Sequence, residues 1–194
     1  MALTKRKSEQ VQKSVANLLK QAVITKPPVP VERVARLRGA EIRYVAFEGD
    51  VSGMLARENG RVIIGVNVLH PNTRQRFTIA HELGHLELNH LELYGENEIR
   101  VDRNFKMMLR DGKSSQATDI AEIEANAYAA ELLMPTSMLM SERELRSGVD
   151  YEDDELIQSL ANHYKVSTQA MTFRLANLAE VPTFKVKATT ASKP

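Results

Sequence analysis

The sequence contains no cysteine. That excludes disulfide scaffolds, thiol nucleophiles, iron–sulfur clusters and every cysteine-ligated zinc site. It also lacks any apolar run near the roughly 20 residues that cross a bilayer. The basic start, MALTKRKSEQ, leads into no apolar core. The expectation is therefore a cytoplasmic protein with no secretory signal and no membrane attachment. An excess of one charge is missing too: 26 Lys and Arg stand against 25 Asp and Glu, for a net charge of +1. That balance does not suit a general nucleic-acid coat, so direct nucleic-acid binding is not favoured. No internal repeat is visible. What remains is ordinary globular composition, 43% hydrophobic and 26% charged over 194 residues. A chain of this length buries about 70% of its unfolded surface, enough for a core without covalent staples.

Helix periodicity marks residues 8–24, where Val11, Val15, Leu18, Leu19 and Ala22 share a face. Pro27 and Pro28 stop it. Pro30 suits the first turn of a short helix through Leu37, with Gly39 as its left-handed end. Strand-forming residues follow at 41–47, 53–57 and 61–66, the last two flanking Asn59-Gly60, a hairpin signal. Residues 71–90 return to a helical pattern, apolar on two sides. Residues 94–118 are polar and read as a long connection. A second helix, apolar nearly all round, runs from Asp119 to Met134 and stops at Pro135. Further helices are expected near 137–146, 152–164 and 168–179. The sum is an α+β fold: a small, mainly antiparallel sheet of about three strands, packed on helices. The expected divisions are an N-terminal helix and linker (1–28), a core (29–146), a helix-turn-helix-like region (147–180) and a disordered tail (181–194).

Chemistry concentrates in Arg76-Phe77-Thr78-Ile79-Ala80-His81-Glu82-Leu83-Gly84-His85. His81 and His85 lie one helical turn apart, so both imidazoles can grip one metal ion. Glu82 falls beside that ion, where a base acting on metal-bound water belongs. A catalytic zinc takes a third protein ligand. The extension HExxHxxGxxH fails here, because Leu88 and Leu91 occupy the required positions. The third ligand is then a carboxylate or histidine on another element. In the second buried helix, Glu124 and Glu131 lie on one strip and Glu122 points almost the other way. Periodicity does not choose between Glu124 and Glu131, although Glu124 comes first. Zinc suits this ligand set, and manganese is the alternative.

The stretch at 76–85, followed by Glu122-Ile123-Glu124-Ala125-Asn126-Ala127-Tyr128-Ala129-Ala130-Glu131-Leu132-Leu133-Met134-Pro135, resembles the ImmA/IrrE family of bacterial and phage metallopeptidases. The family pattern is RFTxAHExGH and then EANxFAAxLLMP, and Tyr128 replaces its Phe. The resemblance covers about residues 30–180, in the short, ImmA-like form without a C-terminal sensor domain. It implies zinc on His81, His85 and Glu124, catalytic Glu82 and a thermolysin-like zincin core. It further implies an endopeptidase that cuts a helix-turn-helix repressor of the phage or XRE type, relieving repression of phage, mobile-element or stress genes. The rival readings are a non-proteolytic antirepressor or toxin–antitoxin component, and a DNA-binding regulator using the C-terminal helices.

By analogy with related peptidases, an extended substrate would pair with a sheet edge at Arg61–Val66. Tyr94, Tyr128, His90, Arg74 and Arg76 are candidates for stabilising an oxyanion, each more simply read as packing or a solvated helix start. Asp150, Glu152, Asp153, Asp154 and Glu155 read as complements to the positive end of the following helix. His70 and His163 read as surface or packing residues.

Overall fold

The computed structural model describes residues 3–49, 51–90, 99–103, 116–142, 145 and 153–179. Helix α1 (Lys5–Gln21) buries Val11, Val15, Leu18 and Leu19 as one stripe. It ends earlier than the prolines require, because Val23 turns left-handed at φ 54°. Helix α2 (Val31–Leu37) follows Pro30, and Gly39 at φ 79° leads into the sheet.

Strands β1 (Ala40–Val45), β2 (Val51–Glu58) and β3 (Arg61–Asn67) form as the alternation predicts. Asn59 and Gly60 take φ 50° and 75°, a tight hairpin turn that sets Glu58 opposite Arg61. Two expectations need correcting. Among the described residues the sheet has four strands rather than about three, because β4 (Ile99–Arg103) forms inside the stretch expected to be a connection. The order is β1-β3-β2-β4, with β1 parallel to β3 and the other two pairings antiparallel. After β1 the chain skips one strand position before β2 begins, and the hairpin folds β3 back into the gap. The proposed substrate edge at Arg61–Val66 is therefore overturned: β3 is paired on both sides, and among the described residues the outer strands are β1 and β4.

Helix α3 (Asn72–Glu87) buries Arg76 and every residue from Thr78 to His85. It packs on β2 and β3 with one side and on α2 and α4 with the others. Helix α4 (Gln116–Leu133) lies between α3 and α1. Pro135 starts a single-turn helix, α5 (Thr136–Leu139), shorter than the helix expected near 137–146. Helix α6 (Asp154–Tyr164) is capped by the Asp153 carboxylate, which accepts from the Leu156 amide at 2.8 Å, with Asp154 and Glu155 in its positive first turn. Left-handed Lys165 ends α6, and α7 (Thr168–Ala179) follows. The expected tail at 181–194 and Tyr94 lie outside the described residues.

Candidate metal centre

Helix α3 needs close neighbours on two sides, and glycine supplies the room. A Cβ on Gly84 would sit 3.0 Å from the Tyr128 Cβ and 3.2 Å from the Ala125 backbone. The α3–α4 seam is therefore as tight as two helices allow. A Cβ on Gly53 of β2 would sit 2.2 Å from the Thr78 Cγ2, 2.9 Å from the Gly65 carbonyl oxygen and 3.6 Å from a Glu82 carboxylate oxygen. The bare β2 backbone thus lies against the HExxH helix at Glu82.

His81, Glu82 and His85 are all fully buried. The two Nε2 atoms of His81 and His85 lie 2.9 Å apart. The structure brings Glu122, rather than the expected Glu124, to this pair. Glu122 Oε2 is 3.3 Å from His81 Nε2, and Oε1 is 3.7 Å from His85 Nε2. One donor atom from each of the three lies within 4.8 Å of the others. The Glu122 side chain keeps 23% of its surface exposed, so the cluster reaches solvent on that side.

The reason lies on α4. Ala125 is small and lies against α3 at Gly84, and Glu122 and Asn126, one turn apart, both reach His81. Glu124 lies about 200° round the helix from Glu122, toward α1. Its Oε2 is 3.2 Å from His90 Nε2, and its Oε1 is 2.9 Å from Lys7 Nζ. Burial raises the Glu124 pKa, but the hydrogen bonds from Lys7 and His90 outweigh it and hold the carboxyl below its ordinary value. Glu131, the other candidate, is turned elsewhere. It accepts from the Thr136 amide at 2.9 Å and the Thr136 hydroxyl at 2.8 Å, and pairs with Arg174 of α7.

Asn126 was not singled out from sequence, yet its Oδ1 lies 3.1 Å from His81 Nδ1. A carboxamide oxygen only accepts, so His81 carries its proton on Nδ1. The ring atom left to serve a metal is then Nε2, which faces His85 and Glu122. Two imidazole nitrogens and a carboxylate are a known catalytic zinc set. A tetrahedral zinc would separate two imidazole nitrogens by about 3.3 Å, close to the spacing found. The donor chemistry fits a divalent cation.

Among the described residues, the oxyanion candidates have other surroundings. Arg76 is buried and donates to the carbonyls of Val29 (2.9 Å) and Lys165 (3.2 Å), tying α3 to the linker and to the α6–α7 turn. Arg74 donates to the Ser52 hydroxyl at 2.7 Å. Tyr128 is fully buried, and that burial pushes its hydroxyl pKa up. His90 lies behind His85, its Nδ1 2.9 Å from His85 Nδ1. His163 is exposed, 3.8 Å from Glu142, and His70 is held below its ordinary pKa by partial burial and Arg74.

Among solved structures, the chain is similar to a Mycobacterium tuberculosis transcriptional regulator, with a TM-score of 0.59 and 14% identity. The match covers 91% of this chain and 49% of that one, so the chain spans about half the length of that relative. At that identity the likeness concerns the fold alone. No curated protein matches this sequence significantly. The family model Peptidase_M78, described as the IrrE N-terminal-like domain, matches residues 35–176, which include both segments that build the cluster. The chain belongs to the IrrE N-terminal-like domain family.

Proposed function

We propose that the chain is a zinc-dependent endopeptidase whose metal is held by His81, His85 and Glu122 and whose general base is Glu82. The observation that carries this reading is the convergence of two imidazole nitrogens and a carboxylate from α3 and α4. Family membership supports a peptidase. A zinc ion held there would supply Lewis acidity, lowering the pKa of water at the site toward about 7 and polarising a carbonyl oxygen.

The chain's own residues do the rest. Glu82, next in sequence to His81, accepts the proton of the attacking water and returns it to the departing amine nitrogen as the C–N bond breaks. Asn126 holds the His81 ring in the orientation its ligand role requires. The seam at Gly84 keeps α4 close enough for Glu122 to reach both rings.

For the substrate we propose a helix-turn-helix transcriptional repressor. The α6–α7 pair then serves as packing or protein-docking surface rather than as a DNA reader. Arg174, the basic residue of α7, supports this, because it turns inward to Glu131, Thr136 and the Met134 carbonyl. DNA readers present such residues outward.

The test is incubation of zinc-loaded protein with the repressor encoded beside it. Defined fragments are expected from the wild type and none from Glu82→Gln, which should still bind zinc. Equal cleavage by both would remove Glu82 as base. A wild type that binds the repressor and leaves it intact would make the chain an antirepressor instead.

A further inference from the structure

We infer that His90 is a positioning residue for this centre: with Glu124 it fixes the tautomer of His85, so that the His85 Nε2 lone pair faces the metal site. This rests on the metal reading above. The observation is a continuous file of polar contacts leading away from the site. His85 Nδ1 meets His90 Nδ1 at 2.9 Å, His90 Nε2 meets Glu124 Oε2 at 3.2 Å, and Glu124 Oε1 meets Lys7 Nζ at 2.9 Å.

Hydrogen-bond polarity follows from the far end inward. The Lys7 ammonium only donates, and the Glu124 carboxylate only accepts. His90 must therefore donate from Nε2. With His90 neutral, a proton on Nε2 leaves a lone pair on Nδ1. That lone pair accepts the proton of His85 Nδ1. His85 is left with its lone pair on Nε2, the atom 2.9 Å from His81 Nε2 and 3.7 Å from Glu122. Asn126 imposes the same choice on His81, in one step rather than two. Both rings thus point their lone pairs at one spot, each fixed from behind by a different partner. His90 and Glu124 are buried, so the file is shielded from competing water. Partners of this kind typically contribute 10- to 100-fold to metal affinity.

The experiment uses the full chain with nitrogen-15 histidine, observed by NMR at neutral pH without metal, and zinc affinity by competition with a chelator. The wild type should carry its His85 proton on Nδ1 and its His90 proton on Nε2. His90→Ala should lose the His85 preference and bind zinc about 10- to 100-fold more weakly. His90→Asn places an oxygen near the former Nδ1, so it should recover most of both signals. It also carries the test should the alanine variant fail to fold. A His85 proton on Nε2 in the wild type would overturn the proposal. So would an unchanged tautomer and zinc affinity in His90→Ala. A wild type that binds no zinc but keeps the Nδ1 proton on His85 would sink the metal reading and uphold the tautomer control.

Discussion

Glu122 and Glu131 lie about two and a half turns apart on the same helix and are used in opposite ways. Glu131 sits at a closed junction. Donors from the Thr136 amide and hydroxyl and the Arg174 guanidinium surround it, and the result is the attachment of α5 and α7 to α4. Glu122 faces the Nε2 atoms of His81 and His85, and Asn126 holds the His81 ring from behind. A carboxylate and imidazole nitrogens this close need a proton or a metal cation between them. Glu131, buried among donors, serves the structure, and Glu122, part-exposed beside two imidazoles, is the candidate ligand.

Substitutions can break that comparison. Glu122→Ala should abolish tight zinc binding while the protein stays folded, measured by metal content and circular dichroism. Glu131→Ala should do the reverse. It leaves zinc stoichiometry intact and costs about 3 kcal/mol, because Arg174 loses a buried partner. Chemical denaturation checks this, and equal zinc loss in both variants would erase the distinction. Gly53→Ala should cost about 1–3 kcal/mol, since the added methyl meets Thr78 and a backbone carbonyl at once. Gly84→Ala should cost about 1 kcal/mol and weaken zinc binding a few-fold, because α4 must retreat with Glu122 on it. Lys7→Ala, at the half-exposed end of its ion pair, should cost less than about 1 kcal/mol.

The HExxH segment was legible because one helical turn fixes the spacing of His81 and His85. The three main strands were legible from alternation and from Asn59-Gly60. The carboxylate that joins the two histidines was not. Helix α4 is buried against both α1 and α3, so apolar periodicity marks two faces and ranks neither. Grouping Glu124 with Ile120 and Tyr128 picks out no single face: Ile120 is exposed, whereas the Tyr128 Cβ lies at the Gly84 seam. The usable signal was smallness: Gly84 on one helix and Ala125 on the other mark where the two backbones meet, and Glu122 lies three residues before Ala125 and Asn126 one after it. Strand β4 was missed because Ile99-Arg100-Val101-Asp102-Arg103 alternates for only five residues within a polar stretch. The parallel pairing of β1 with β3 was hidden because strand order is a long-range property that no local pattern encodes.

The most direct test is anomalous X-ray scattering at the zinc edge from crystals of the zinc-loaded protein. This account predicts a single strong peak within coordination distance of His81 Nε2, His85 Nε2 and the Glu122 carboxylate, with Glu124 still joined to His90. A peak bonded to Glu124, or none near the two histidines, would contradict it.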